Sequence, residues 1–251
     1  MTKLLGLPDL ASKHGADVDA LIIYMHWLMA LLFVGWLAYF AYAIWRFRQS
    51  RNPQADYVGV TGHTSTWAEI AVAVVEGVLL IAFAIPWWAK AVDKFPEEKD
   101  STVIRVTGRQ FNWIARYPGA DGEFGAQDLR LLTSDNLMGL DRTDPKAKDD
   151  VMLENSDVVV PVDKDIIIQL SSLDVIHSFK VLSMRVTQDA IPGLRIPFHF
   201  KATKTNTYQI NCAQLCGIGH STMKGLLKVL PQPEFDAWLK SKSGAGPASY
   251  E

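Results

Sequence analysis

The sequence predicts a two-helix transmembrane hairpin followed by an all-β sandwich domain. Two observations support this fold class. Two apolar stretches in the first 92 residues are each long enough to cross a membrane, and short alternating runs separated by turn residues follow beyond residue 100. A third observation concerns function: both cysteines of the 251-residue chain lie in one short segment, together with a histidine and a methionine.

The first apolar stretch, residues 21–45, contains 25 residues and no formal charge. A helix needs about 20 apolar residues to cross the hydrocarbon core of a bilayer. A signal peptide is one alternative, but its apolar region is shorter, and here basic residues follow as in a stop-transfer sequence. A buried helix of a soluble protein is the other alternative. The length and the aromatic edges favour a retained membrane helix at about residues 21–46.

The second stretch, residues 70–89, is interrupted only by Glu76 and predicts a helix at about residues 67–91. Basic residues lie in the short loop between the helices, which places that loop in the cytoplasm and both termini outside. The predicted organisation is therefore an exterior N-terminal segment, a hairpin, an exterior domain and a disordered tail, at residues 1–20, 21–92, 93–241 and 242–251.

Two acids of the second helix, Glu69 and Glu76, have no evident basic partner in the hairpin. An acid at membrane depth is costly and usually faces protein or a water pathway. We therefore expect another subunit to cover them. For Glu69 the alternative is a position at headgroup level, where the positive end of the helix dipole also favours an acid.

The exterior part alternates in the manner of β-strands. Strands of 5–7 residues with Pro, Gly, Asn and Asp between them predict an antiparallel sandwich or barrel. Between residues 119 and 155 the chain is rich in Asp, Gly, Pro and Lys and predicts long surface loops, and residues 233–240 predict a short closing helix. The predicted strands are residues 102–106, 157–162, 165–170, 177–182, 196–202, 206–211 and 225–230.

Cys212, Cys216, His220 and Met223 offer two thiolates, an imidazole and a thioether within twelve residues. Soft sulfur ligands combined with imidazole are typical of copper electron-transfer sites. A disulfide is the first alternative, because an exterior compartment permits one. Zinc is the second, but a thioether is a poor zinc ligand. A mononuclear blue-copper site is the third, and it would leave one thiolate unused.

Two thiolates can instead bridge two copper ions, which requires a second imidazole from elsewhere in the chain. In the exterior domain the candidates are His177 and His199. His199 alternates within a predicted strand and fits an ordinary strand residue. His177 opens a strand after a turn and has an acid, Asp174, three residues upstream. The sequence favours His177.

At this point the chain resembles subunit II of the haem–copper cytochrome c oxidases along nearly its whole length. The resemblance rests on the two-helix hairpin, on the segments at 174–179 and 188–193, and on the Cys-x-x-x-Cys-x-x-x-His-x-x-Met run. It implies a cupredoxin-like sandwich that holds the dinuclear copper centre called Cu(A). The ligands it implies are the bridging Cys212 and Cys216, the terminal His177 and His220, and Met223 with the backbone carbonyl of Gln214.

The resemblance also implies a function. A c-type cytochrome would deliver single electrons to the two copper ions, and the chain would pass them to haem in subunit I, where oxygen is reduced to water and protons are pumped. Subunits I and III and the lipid bilayer would be its partners. It would be a multi-pass protein of the bacterial inner membrane with the copper domain in the periplasm. The chain would be an electron-transfer module of the enzyme and not its oxygen-reducing site.

Several classes are disfavoured. The net charge of about −2 gives no basic patch for nucleic acid, and no Cys-x-x-Cys-His motif predicts a haem in this chain. A quinol oxidase subunit would lack the copper ligands. Two alternatives stay open: the copper subunit of a nitric oxide or nitrous oxide reductase, and a membrane-anchored copper-binding protein without a redox role.

Three positions depart from the family pattern, and a fourth matches it. Gln214 stands where the family usually has a glutamate that helps to hold magnesium at the boundary with subunit I. Phe111 stands where the family usually has the tryptophan through which electrons enter; Trp113 remains nearby, with core packing as its alternative role. Glu76 falls where many relatives have proline. Glu69 matches the family's glutamate at the mouth of a proton channel.

Overall fold

The computed structural model describes residues 4–59 and 61–243, and it divides into two compact units. One unit is Asp17–Lys90. The other combines the N-terminal segment that precedes this stretch with the chain from Ala91 onward.

The first unit consists of two long apolar helices. Helix α1 is Gly15–Phe47, and the second helix runs through α2 (Thr64–Val78), a π-helical stretch (Leu79–Ala84) and α3 (Ile85–Val92). The candidate membrane spans have 33 and 27 residues. At about 1.5 Å per residue both exceed the roughly 30 Å of a hydrocarbon core. Their apolar side chains are exposed, as expected of a surface that lipid or another subunit covers.

Helix α1 begins earlier than predicted, at Gly15 instead of residue 21, so the predicted exterior segment 1–20 is partly helical. The added turns include Asp17, whose charge is favourable at the positive end of the helix dipole. The π-helical stretch ends just before Ile85 and Pro86. Proline has no N–H to donate to the preceding turn, and a widened turn is one way for a helix to accommodate that loss.

The second unit is a β-sandwich, and its ten described strands form two sheets of five. The first sheet has the order β3-β2-β1-β5-β8, with β1 (Thr102–Arg109), β2 (Asn112–Tyr117), β3 (Val151–Leu153), β5 (Asp165–Ser172) and β8 (Ile196–Lys201). The second has the order β4-β10-β9-β6-β7, with β4 (Asp157–Pro161), β6 (His177–Val181), β7 (Val186–Ala190), β9 (Asn206–Cys212) and β10 (Lys224–Leu230).

The core lies between the two sheets. It consists mainly of β-branched and aromatic side chains, which pack well on a pleated surface. The rings of Trp113 and Phe179, one from each sheet, meet edge to face with centroids 5.3 Å apart. The buried hydroxyl of Tyr117 donates to the carbonyl of Val159 at 2.9 Å and accepts from its N–H at 2.6 Å, which joins β2 to β4.

The expectation of a purely antiparallel sandwich is wrong for two strand pairs. Strand β1 pairs with β5 in parallel, and β10 pairs with β4 in parallel. In both cases the chain passes through other strands before it returns, so the two partners enter the sheet from the same end. Such long crossovers leave no hairpin turn for a sequence pattern to reveal.

Three strands were not predicted: β2, β3 and β7. Strand β2 carries Arg116, which is fully buried, so the polar residue breaks the pattern of an apolar strand. Strand β7 lies at the edge of its sheet and exposes Thr187 and Asp189. Strand β3 has three residues and lies inside the region 119–155 that was expected to consist of surface loops.

Helix α4 is Gln232–Ser243 and contains the predicted closing helix at residues 233–240. It also includes residues 242 and 243, which were expected to belong to a disordered tail. The rest of that expected tail, residues 244–251, lies outside the described residues.

The N-terminal segment is hydrogen-bonded to the sandwich. The N–H of Ala11 donates to the carbonyl of Ser183 at 2.9 Å, the N–H of Lys13 to Lys201 at 2.9 Å, and the N–H of Thr203 to Ala11 at 2.8 Å. The segment before α1 thus belongs to the same unit as the sandwich.

Candidate metal centre

The candidate ligands converge because of how three adjacent strands run. Strand β6 is antiparallel to β9. The start of β6, at His177, therefore lies at the same end of the strands as the end of β9, at Cys212. Strand β10 follows β9 as its antiparallel neighbour. The loop at residues 213–223, which we call the ligand loop, connects them. At this end of the sheet, the imidazole of β6 therefore lies beside Cys212 of β9 and beside the loop, which contains two sulfurs and a second imidazole.

The ligand atoms form a continuous series of close contacts. The two cysteine sulfurs lie 3.8 Å apart. His177 Nδ1 lies 3.9 Å from Cys212 Sγ, and the carbonyl oxygen of Gln214 lies 3.1 Å from the same sulfur. On the other side, His220 Nδ1 lies 3.6 Å and Met223 Sδ 3.8 Å from Cys216 Sγ.

These distances fit a metal site. Two sulfurs bound to one ion at about 2.3 Å with a tetrahedral angle lie about 3.8 Å apart, and a sulfur and a nitrogen about 3.6 Å apart. The ligand atoms of His177, Cys212 and Cys216 all lie within 4.8 Å of one another. Both cysteines are free thiols in this structure, so the donors needed for a soft metal ion are present and unlinked.

The site is largely shielded from solvent. His177 is fully buried, Met223 is 1% exposed and Cys216 is 4% exposed. Burial, followed by the neighbouring Cys212 thiol, raises the pKa of Cys216 from 9.0 to about 11. Without metal this sulfur is therefore a neutral thiol at pH 7, and a metal ion must displace its proton on binding.

Asp174 fixes the orientation of His177. Its Oδ1 lies 2.8 Å from His177 Nε2, so a proton on Nε2 leaves Nδ1 free to face Cys212. Burial opposes the charge on this carboxylate, but hydrogen bonds from the N–H of Gln110, from His177 and from the N–H of Val175 outweigh it and lower its pKa. The sequence places an acid near this histidine, but its contact with the ring appears only in the structure.

Phe111 and Trp113 occupy different environments. Phe111 is partly buried, and its ring lies so close to the ligand loop that a Cβ at Gly219 would be 2.5 Å from it. Trp113 is fully buried between the two sheets, with its ring centroid 6.0 Å from that of His177. Trp113 therefore cannot touch a soluble partner, whereas the Phe111 region is near the surface.

The remaining predicted residues lie elsewhere. His199 is in β8 and packs on Phe95, with ring centroids 4.7 Å apart, away from the cysteines. The side chain of Gln214 is exposed. Glu69 and Glu76 are exposed on α2 in the other unit. Gln110, which no sequence pattern singled out, contacts both ligand segments.

The ligand loop has an apolar outer surface. Leu215 is 77% exposed, and Ile218, between two glycines, is fully exposed. Val175 and Ile176, which precede His177, add further exposed apolar area. Exposed apolar patches of this kind mark interaction sites.

Fold and site together define a membrane-anchored β-sandwich protein with a candidate site for a soft metal ion. A family model described as cytochrome c oxidase subunit II, periplasmic domain, matches residues 102–230. The chain belongs to the cytochrome c oxidase subunit II family. It is thus a subunit of an oxidoreductase complex, and the predicted fold class is confirmed.

Two relatives, each 30% identical to this chain, agree with this assignment. The alternative cytochrome c oxidase subunit 2 of Bradyrhizobium diazoefficiens is 30% identical over 225 residues, covering 90% of this chain and 80% of that protein. Cytochrome c oxidase subunit 2 of Cereibacter sphaeroides is 30% identical over 242 residues, covering 88% and 76%. A solved periplasmic domain of subunit II from Bradyrhizobium japonicum is 31% identical, with a TM-score of 0.43, and covers 59% of this chain and 96% of that one.

Proposed function

We propose that this chain holds a dinuclear copper centre and transfers single electrons from a c-type cytochrome to haem in subunit I of a cytochrome c oxidase. One observation carries the proposal: four donor atoms from two segments of the chain lie in contact with a pair of free thiols whose sulfurs are 3.8 Å apart. When bound, copper would supply one-electron redox chemistry at this site. The residues of the chain provide its binding, spacing and shielding.

The contacts divide the donors into two halves. Cys212 is flanked by His177 Nδ1 and the Gln214 carbonyl, and Cys216 by His220 Nδ1 and Met223 Sδ. Beside the two thiolates, each half would supply one imidazole and one weaker ligand to a bound copper ion. The proposed ligands are therefore those expected from the sequence: His177, Cys212, the carbonyl of Gln214, Cys216, His220 and Met223.

The surface near Phe111 is the proposed contact for the electron donor. Phe111 packs against the ligand loop and is partly exposed, while Trp113 behind it is fully buried. We propose that Trp113 supports the imidazole of His177 from the core. The exposed Leu215 and Ile218 would supply apolar area for a neighbouring protein at the same edge of the sheet.

The two apolar helices support a placement in the membrane. We propose that the chain spans the inner membrane of a bacterium twice, with the copper domain in the periplasm and subunits I and III beside the hairpin. Glu69 is the proposed mouth of a proton pathway into subunit I, where oxygen reduction would be coupled to proton pumping.

Magnesium at Gln214 is a weaker proposal than copper. Magnesium prefers oxygen ligands and often carboxylates. The Gln214 side chain is exposed and offers one neutral amide oxygen. We expect a Gln214→Glu variant to bind magnesium more tightly in the assembled complex, with the copper signal unchanged because the backbone carbonyl remains.

The test is copper counting combined with electron paramagnetic resonance on the full chain in detergent. We expect two copper ions per chain and a mixed-valence signal in which both ions share one unpaired electron. Cys216→Ser should abolish that signal, whereas Gln214→Ala should leave it largely intact. A single-copper signal in the unmodified chain, or a Cys212–Cys216 disulfide without metal affinity, would contradict the proposal.

A further inference from the structure

Gln110 is placed where it can reach both halves of the metal centre. It lies in the turn between β1 and β2, and these strands belong to the sheet that does not carry the ligands. The turn meets the ligand edge of the sandwich, where the N–H of Leu173 also donates to the carbonyl of Gly108 at 3.0 Å.

The backbone of Gln110 reaches the His177 half. Its N–H donates to Oδ2 of Asp174 at 2.7 Å, and Oδ1 of the same carboxylate lies 2.8 Å from His177 Nε2. One carboxylate therefore joins the turn to the imidazole. This contact depends on the backbone and survives any change of side chain other than proline.

The side chain of Gln110 reaches the other half. Its Nε2 donates to the carbonyl oxygen of Cys216 at 2.6 Å, and the sulfur of Cys216 lies 3.6 Å from His220 Nδ1. A primary amide suits this contact because it has an N–H donor and no charge. A carboxylate of the same size would place an acceptor against the carbonyl.

Packing holds the side chain in place. A Cβ at Gly217 would lie 2.7 Å from Gln110 Nε2, and one at Gly219 would lie 2.5 Å from the ring of Phe111. The loop can approach the turn this closely only because it has glycine at both positions. Gln110 is an exposed residue, but its side-chain hydrogen bond is partly buried in this close contact between the turn and the loop.

We propose that Gln110 is a positioning residue that fixes the distance between the His177 half and the Cys216–His220 half of the centre. This inference rests on the proposed copper function. His177 and Cys216 come from segments 39 residues apart in the chain, and Gln110 links them through two hydrogen bonds from a third segment. Two ions held by both sulfurs would have similar environments only if the spacing of the two halves were fixed.

Loss of the side-chain bond should affect the two halves unequally. The Cys216 carbonyl would be released while the Asp174–His177 contact stays, since the Gln110 N–H remains. We therefore expect the two copper ions to become inequivalent in the resonance spectrum, with a changed reduction potential. The loss of one hydrogen bond corresponds to about a 2- to 13-fold change in an equilibrium, so chelators should extract copper faster by about that factor.

The experiment compares Gln110→Met and Gln110→Glu in the full chain in detergent. Both variants keep the volume and length of the side chain, and both lose the N–H donor. The matched control is Gln232→Met on α4, which removes a side-chain hydrogen bond to Asp236 of 2.7 Å and is separated from Met223 by the length of β10. Readouts are the copper hyperfine pattern, the reduction potential, the rate of copper release and the unfolding midpoint of the metal-free protein.

The expected result is altered hyperfine pattern, potential and copper release in both Gln110 variants, with the control unchanged. If both variants match the unmodified chain in these three readouts, the proposal is wrong, whatever happens to the unfolding midpoint. If the unmodified chain itself binds no copper pair, the proposed function fails instead, and the two failures are thus distinguished.

Discussion

Asp174 Oδ1 lies 2.8 Å from His177 Nε2, which leaves Nδ1 of that ring facing Cys212 Sγ at 3.9 Å. The carboxylate is itself held by the backbone N–H of Gln110 at 2.7 Å and that of Val175 at 2.7 Å. The ring of His177 is fully buried, so it has little freedom to turn. The tautomer of one proposed ligand is therefore set by a residue that does not contact the metal.

Asp174→Asn should weaken copper binding. The amide can turn its NH₂ group toward Nε2 and can no longer supply two charged acceptors, so His177 loses the partner that orients it. Loss of such a partner typically lowers metal affinity about 10- to 100-fold. Competition with a chelator measures the change. Asp236→Asn on α4 is the control, and equal affinity in the two variants would mean that Asp174 does not orient the ring.

The metal-free protein should lose stability at alkaline pH through Cys216. Its pKa is raised from 9.0 to about 11 in the folded state, so folding favours the neutral thiol. This contribution is fully present below about pH 9 and is lost as the pH rises through about 11. Urea unfolding of the unmodified chain and of Cys216→Ser, at about pH 8 and about pH 10.5, isolates the effect of this thiol. We expect the unmodified chain to lose more stability than the variant, and parallel losses would contradict the assignment.

Gly219→Ala should disturb the ligand loop through Phe111. The backbone at Gly219 has φ −90° and ψ 10°, which alanine also adopts, so the effect is steric. The new Cβ would lie 2.5 Å from the Phe111 ring, and overpacking of this kind costs about 1–3 kcal/mol. The double variant Phe111→Ala/Gly219→Ala makes room and should recover part of the copper signal. Thermal unfolding and the resonance spectrum are the measurements, and the absence of any recovery would exclude a clash with the ring.

Arg116 and Asp150 form a salt bridge whose side chains are each 1% exposed. Arg116 also donates to the carbonyl of Gly125 at 2.7 Å, so this pair holds the long loop after β2 to the sheet. Asp150→Ala leaves a buried guanidinium without its counter-ion and should lower the free energy of unfolding by about 3–5 kcal/mol. Arg130→Ala, at an exposed pair with Asp128, should change it little. Urea unfolding compares the free energies of unfolding of the two variants. Equal losses would show that the burial of the ion pair does not determine the size of the loss.

The sequence could predict which donor atoms the structure brings together, because soft donors at fixed spacing have few other uses, and the strand that starts at His177 was recognised from its alternation. The two helices were recognised from the length of their apolar stretches and from the aromatic residues at their edges. Other features depend on contacts between distant segments. Burial of Arg116 on β2 depends on Asp150, 34 residues away, and the contact of Gln110 with Cys216 spans 106 residues. No local pattern carries such pairings, so the parallel strands, β2 and the Gln110 contacts were not predicted.

Glu69 and Glu76 should face another subunit of the oxidase. They are seven residues apart on α2, so at 3.6 residues per turn they point within about 20° of each other. An acid near the centre of a membrane helix costs about 2.5–3.5 kcal/mol against lipid, which favours protein on this face. A photo-crosslinking residue at Ala73, on the same face, should capture a partner subunit in the assembled complex.

The control for this test is a crosslinker at Val78, which lies on the opposite face of α2. Adducts to another subunit are expected from position 73 in excess over position 78, and mass spectrometry identifies the captured chain. Because the two positions lie only five residues apart along the helix, they sample a similar depth in the membrane. Equal capture from both, or capture from Val78 alone, would mean that the acidic face is not the one covered by protein.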